Sequence, residues 1–372
     1  MAVTAFGSLS AAQKRVWATD VSKAGRDQNF WMSNGFVGKN TADVTRPVQR
    51  ITELTATERG RVAVMQLVGD LRGDGVVGDN ELSGNEEALL NDAIEIRLDQ
   101  LRNGVRSRGK MSEQETVLRF RTIAKDTLAF WLADTIDELM FLTLAGRAYT
   151  LTTGGATRAS SQLPQLAFAA DVAAATTNRK LFAGVATSEA TLTASDKMTW
   201  NLLVRACAFA KRKRLRPIRS GGKPWYAVVL STEQLRDLKL DPVYQATVAR
   251  GGVRGDSNPL FQNAVAAVDG LVIFDHQKTY NTLGASSGSK WGSGNTLDGA
   301  QAALLGAQAL GFASIGEASW EEADVNDYKN RPGIAYGRIF GLMKPQFKYS
   351  NIDETTREDF GVVSIYTAAA AS

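Results

Sequence analysis

Apolar spacing gives the first outline of the chain. Between Ser112 and Gly146, Val117, Phe120, Ala124, Leu128, Trp131, Ile136, Leu139 and Leu142 recur at spacings of three to five, which lays most of them on one broad helical stripe. Ser112 and Glu115 form a capping box at its start, where a hydroxyl and a returning carboxylate satisfy two orphan amides. Gly146 supplies the stop, because glycine takes the left-handed cap conformation without strain. Such a helix runs roughly 50 Å and wants a sheet or a second domain along its flank. It carries too many charges to cross a membrane, among them Arg119, Arg121, Lys125, Asp126, Asp134 and Asp137.

Upstream, residues 61–68 (RVAVMQLV) and 93–101 (AIEIRLDQL) read as strands, the second with Ile94, Ile96 and Leu98 alternating with charged neighbours. The stretch between them, GDLRGDGVVGDNELSGNEEALLND, is glycine-rich and acidic and has no pattern for interior packing. The two strands therefore predict an extended hairpin projecting from the body, and a loop of that length in a compact domain is read as functional. A basic turn over Arg102–Lys110 then leads into the long helix.

After the helix, residues 150–161 read as loop, and residues 163–194 are rich in alanine and threonine with weak periodicity. Ser195 and Asp196 are expected to cap a helix from Lys197 to about Lys213, whose end enters the most basic segment, KRKRLRPIR at 211–219. WYAVVLS (225–231) reads as a buried strand, followed by a helix capped near Ser231 or Thr232 and another opening at Asp241-Pro242. GLVIFDH (270–276) is a strand, 284–296 a flexible glycine-serine loop, and LDGAQAALLGAQALGFA (297–313) a small-residue helix suited to close packing. IAYGRIFGLMKPQF and the closing FGVVSIYTA read as strands, the last apolar enough to sit in a central sheet.

Residues 1–48 look like an arm, with isolated aromatics (Trp17, Phe30, Trp31, Phe36) and one helix over Ser10–Val21. Two readings stay open: a piece that packs on something else, or a subdomain with its own small core. Over 372 residues, two or three domains are expected. The single cysteine, Cys207, excludes an intrachain disulfide and suits a reducing compartment. No apolar run approaches twenty residues and the first thirty lack an apolar core, so neither a membrane span nor a signal peptide is expected. The net charge of +4 is too small to indicate nucleic-acid binding by itself.

Candidate chemistry is sparse. His276 is the only histidine and no G-x-S-x-G elbow accompanies it, so it is read as structural. One cysteine and one histidine cannot make a conventional zinc site. Asp70, Asp74, Asp79 and Glu81 invite a calcium reading, but their spacing departs from the EF-hand pattern and a solvated acidic loop is preferred. Lys290 is not part of a phosphate-binding loop, since it follows a serine and no hydroxyl comes after it. The basic run has no interleaved aromatics to stack bases, which favours a solvated or subunit-contact surface over a DNA-contact one. No catalytic residue, metal or cofactor is expected.

Longer runs say more. Residues 76–114 contain the Gly78-Asp79 turn, a Leu82-x-Gly84-Asn85-Glu86-Glu87 run, Asp99-Gln100-x-Arg102, and Val105-Arg106-Ser107-x-Gly109-Lys110-Met111-Ser112. Near the end stand DYKNRPGIAYGRIFGLMKPQF and DFGVVSIYTA, and in the middle a strand from Tyr226 leads into a Ser-Thr-Glu-Gln-Leu-Arg helix start. In these runs the chain resembles the major capsid protein family typified by the coat protein of schitovirus-type podoviruses. Strong similarity covers roughly 75–146 and 318–368, with patchier similarity at 195–275.

The resemblance implies an α+β protein of the Hong Kong 97-type coat fold. Its parts would be an N-terminal arm (1–48), an extended loop (49–110), a peripheral domain (111–194 with 340–372) on a spine helix of about 112–145, and an axial domain (195–339). It implies a major capsid protein whose copies form hexamers and pentamers and close an icosahedral shell around double-stranded phage DNA, held without sequence specificity and without a membrane. Further expected partners are a separate scaffolding protein, a portal and a decoration protein, with assembly in the bacterial host cytoplasm. Candidate inter-subunit contacts pair Asp70, Asp74, Asp79, Glu81, Glu86 and Glu87 with Arg102, Arg106 and Arg108, or with Lys211, Arg212, Lys213 and Arg214, of a neighbour. Two other classes remain: a DNA-binding module acting through the basic run, which predicts salt-sensitive binding by the monomer, and an enzyme, which predicts a concave site around His276.

Overall fold

The computed structural model describes residues 29–51, 60–68, 71, 73–89, 91–110, 120–220, 223–250, 266–268, 270–323, 330–348 and 356–370. The Ser10–Val21 helix, the Ser112–Glu115 capping box and Asp70 lie outside the described residues.

Five α-helices are seen among the described residues: α1 (Phe30–Ser33), α2 (Phe120–Ala145), α3 (Trp200–Arg212), α4 (Thr232–Leu240) and α5 (Pro242–Arg250). The strands of the first half are β1 (Val48–Ile51), β2 (Val62–Val68), β3 (Asn91–Arg97), β4 (Asp99–Arg106) and β5 (Lys180–Phe182). Then come β6 (Ile218–Ser220), β7 (Lys223–Leu230), β8 (Ala266–Val268), β9 (Leu271–Asp275) and β10 (Gly299–Leu305). The last are β11 (Leu310–Ala323), β12 (Gly333–Met343), β13 (Gln346–Phe347), β14 (Glu358–Asp359) and β15 (Val362–Ala368). Short 3-10 turns occupy parts of 163–191.

Helix α2 is the beam of the molecule. It packs on β12 and β4 of one sheet and on β10 of another. Leu139, Met140, Phe141, Leu142 and Leu144 are all buried, so its last turns are covered on every side rather than along one stripe. It ends where glycine predicts. Gly146 sits at φ +66°, and a Cβ there would lie 2.3 Å from the Ala173 carbonyl oxygen. The Arg147 N–H reaches back to the Leu142 carbonyl at 2.9 Å, satisfying a helix-end acceptor.

The first sheet has the order β1-β11-β12-β4, with β1 parallel to β11 and the other pairs antiparallel. The second has the order β5-β15-β10-β7-β9-β8, with β6 on β7. Every position of β15 is buried, as its apolar density predicts. Strands β2 and β3 form the expected antiparallel hairpin. Its inner face (Ala63, Met65, Leu67, Ile94, Ile96) closes a second core with Ile51, Ala313, Phe347 and Phe360.

Several expectations change. Residues 297–313 form no helix; they supply β10 and the start of β11. The small residues serve close approach between strands and loops: a Cβ on Gly299 would strike the Trp291 ring, and one on Gly306 would lie 2.3 Å from the Arg216 carbonyl oxygen. The presumed basic turn is strand through Arg106, because β4 is a sheet edge and needs no apolar alternation. Gly104 fits there because a Cβ would already be 3.1 Å from the Ile334 carbonyl oxygen. The cap of α3 is Thr199, whose side chain accepts from the Leu202 N–H, while Asp196 turns back to the Thr193 N–H at 2.8 Å. The 284–296 loop is folded down by backbone bonds, Trp291 with Leu297 among them, and buries Trp291. The closing strand β15 joins the sheet of β7 and β10, while β12 pairs with β11 and β4 in the sheet that packs on the spine helix.

Candidate assembly surfaces

The hairpin is where the chain leaves apolar surface open. Along β2 exposure alternates strictly, and three of the four outward positions are also apolar: Val62, Val64 and Val68 are 39%, 46% and 53% exposed, with Gln66 the fourth. A strand apolar at both parities is built to be covered on both faces. Among the described residues, the inner face of this one is buried and the outer face is exposed. Leu71, Val77, Leu82 and Leu89 extend the exposed apolar surface along the connecting loop.

Asp74, Asp79, Glu81, Glu86 and Glu87 are exposed on the same loop. Two of them organise it. Glu87 accepts the Gly73 N–H at 2.6 Å, and Glu86 accepts the Gly84 N–H at 2.7 Å. Among the described residues, no group of three or more histidine, cysteine, aspartate or glutamate side chains is arranged to hold a metal ion.

Arg102, Arg106 and Arg108 are exposed on and just beyond β4, away from the hairpin loop in sequence and on the open edge of the first sheet. That edge is partly closed by its own side chains, since Asp99 accepts the Gln100 N–H and Asn103 accepts the Gly104 N–H. The basic run divides. Lys211, Arg212 and Arg214 are exposed, with Arg212 5.6 Å from the Phe209 ring centre. Lys213 is half-buried; its ammonium donates to Asn178 at 2.8 Å and its carbonyl accepts from Arg179. Arg216 lies over the Phe360 ring at 5.3 Å.

Several interior charges are paired within the chain. Arg147, one residue past the helix stop, pairs with Glu189 at 2.6 Å and lies over Tyr280 at 4.7 Å. Gln301 of β10 donates to the Ala145 carbonyl and to Ser364 of β15, tying the helix end to the second sheet. Lys278 pairs with Asp134 of the spine helix, and Arg158 with Glu138 at 2.5 Å. Lys344 and Asp359, each with a side chain 1% exposed, are 3.2 Å apart. Burial lowers the Lys344 pKa and Asp359 opposes that shift.

His276 stacks on Phe141 at 4.8 Å, with Phe30 at 4.7 Å, and its Nδ1 accepts the Lys278 N–H. Burial, helped by Lys278, brings its pKa down to about 4, so the ring is neutral at neutral pH and serves as a packing group. Trp31 and Phe36 are buried in the main core beside it, so the described end of the arm packs on the body and forms no separate core.

The comparisons with known proteins say which family this architecture belongs to. A sequence model of the family described as "Phage capsid protein" matches residues 7–371. The chain belongs to that family. It is 43% identical, over 98% of both chains, to the major capsid protein of Pseudomonas phage KPP25. Among solved structures, the capsid of Ralstonia phage GP4 superposes with a TM-score of 0.76 at 27% identity, covering 100% of this chain and 99% of that one. The capsid asymmetric unit of cyanophage Pam1 gives 0.69 at 19% identity, covering 91% and 92%, and shows the shared fold. This is a phage major capsid protein with the Hong Kong 97-type fold, a component of the virion that forms capsids. The exposed Val62–Val64–Val68 face escaped the sequence reading. Its signal was available in RVAVMQLV, which is apolar at alternate positions of both parities.

Proposed function

We propose that copies of this capsid protein assemble as hexamers and pentamers into an icosahedral shell around double-stranded DNA, with the β2–β3 hairpin reaching onto a neighbouring subunit. The observation that carries this is the two-faced apolar hairpin. One face is seated on Ile51, Ala313, Phe347 and Phe360 and the other is bare, with four further apolar residues along the loop. Covering each side chain fully is worth about 1.5–3 kcal/mol, and a closed shell repeats the contact many times. The acidic residues of the loop set register against Arg102, Arg106, Arg108, Lys211, Arg212 or Arg214 of the neighbour, more than they add affinity. Lys213 is a poorer candidate because it is engaged within its own chain.

In this reading the spine helix with the first sheet forms the peripheral part and the second sheet the axial part at the capsomer centre. A separate scaffolding protein, a portal and a decoration protein complete the assembly in the host cytoplasm, and DNA is held without sequence specificity. The test is negative-stain electron microscopy of the protein co-expressed with its neighbouring phage genes, after size exclusion. Closed shells, tubes or rings of five and six are expected. A monodisperse monomer or dimer, with a scaffold present, sinks the proposal.

A further inference from the structure

The described chain begins by touching the spine helix through one carboxylate. Asp137 is 4% exposed on α2, and its Oδ2 accepts the Phe30 N–H at 3.0 Å. Its other oxygen, Oδ1, is buried without a partner. Among the described residues, no cation pairs with it. The nearby ammonium, Lys278, is paired with Asp134 one turn away, and His276 beside it packs as a neutral ring between Phe141 and Phe30. The segment packed on top, α1 (FWMS), contributes no charged side chain. A buried carboxylate held by the Phe30 N–H, with a weaker pull from the Trp31 N–H and one oxygen without a hydrogen bond, is a poor home for a negative charge.

We infer that Asp137 is a protonation-controlled latch: protonated, it holds the Asn29–Gly38 segment against the spine helix, and ionised, it loosens that segment. Two sides of the contact are built for it. The arm presents backbone N–H groups, Phe30 and more weakly Trp31, which bond either form of the carboxyl, while the second oxygen has no hydrogen bond and Asp134 one turn away disfavours its charge. Burial, against the pull of the Phe30 N–H and Lys278, pushes the group up to about 7, so the latch works across the neutral range. The sign follows from linkage. With the segment lifted, the carboxyl returns to solvent and its ordinary acidity. Lifting therefore releases a proton and becomes easier as pH rises through the window between the two values, levelling off above about pH 7. His276, packed on Phe30, is held neutral by burial; lifting the segment lets it take up a proton between about 4 and its ordinary value, so it opposes the Asp137 effect in the lower part of this window.

The experiment is hydrogen exchange on the full chain, following the Phe30 and Trp31 amides from pH 5 to pH 8 after correction for intrinsic exchange. The segment's opening equilibrium is expected to rise roughly a few-fold over that range, because proton uptake by the exposed His276 offsets most of the Asp137 term at the acid end. In Asp137→Asn, which still accepts the Phe30 N–H but cannot ionise, the rise should vanish and protection should stay high at pH 8. A wild-type profile flat with pH, or the same rise in Asp137→Asn, overturns the proposal. Should Asp137→Asn fail to fold, Lys278→Met provides the second arm: loss of the positive charge must move the wild-type plateau to higher pH, and an unmoved plateau overturns the latch equally.

Discussion

The interior around the spine helix and the β2–β3 hairpin obey opposite rules. Around the helix, many strong groups find partners inside the chain: Arg147 with Glu189, Arg158 with Glu138, Lys344 with Asp359, Gln301 with Ala145 and Ser364. On the hairpin, Val62, Val64 and Val68 face outward opposite Arg97, Glu95 and Asn91 and stay 39%, 46% and 53% exposed. Body stability is thus internal, while the hairpin is only half completed by its own subunit. Substitutions should separate the two: body changes should alter subunit unfolding, and hairpin changes should alter assembly with the subunit intact.

The largest effect on the unassembled subunit is expected from Phe340→Ala. This fully buried ring lies 5.4 Å from Phe168 and 6.2 Å from Phe312, and its loss should cost about 3–5 kcal/mol in denaturant unfolding. Lys344→Ala should follow closely, at about 3–5 kcal/mol, because Asp359 would be left buried without its cation. Replacing both members with apolar residues should recover much of that loss; a double variant as unstable as the single one would contradict self-contained pairing. Thr199→Ala removes the α3 cap and should cost about 1 kcal/mol by the same measurement. Val64→Asp should move subunit unfolding by about 0.5 kcal/mol or less, since the site is exposed, yet abolish shells in electron microscopy. If Val64→Asp shells form at wild-type yield, the bare face is not an assembly surface. The smallest effect is expected from Glu86→Lys with Glu87→Lys, which should leave the subunit fold in place and slow or misregister assembly; normal shells would remove the charge-pairing proposal.

Much of the fold could be read from residue order, for identifiable reasons. Alternation revealed β3, apolar density revealed β15, and Gly146 marked the end of the spine helix because a backbone neighbour at Ala173 forbids any side chain there. The failures are physical as well. In 297–313, alanine and glycine satisfy a close-packed helix and a close-packed strand equally well, and periodicity cannot tell which neighbour is near. The tertiary partners β15 and β7 decide it. Arg102–Arg106 looked like a turn because an edge strand carries little apolar signal. Of the assembly candidates, the acidic loop and the β4 arginines stand exposed as expected. Lys213 was hidden from the sequence reading because its partner Asn178 lies 35 residues away.

The place of β15 also bears on how the protein is made. It lies between β5 and β10, and its partner Lys180–Phe182 leaves the ribosome long before Val362–Ala368 is synthesised. Until then the second sheet has a slot where its second strand belongs, and the joining contact spans about half the chain, the kind of pairing that folds slowly. A growing chain therefore cannot finish this sheet, however complete its earlier parts, and a product truncated before β15 would present two unpaired strand edges. Completion of translation acts as a timing check, so that only subunits carrying β15 can present a finished sheet to their neighbours.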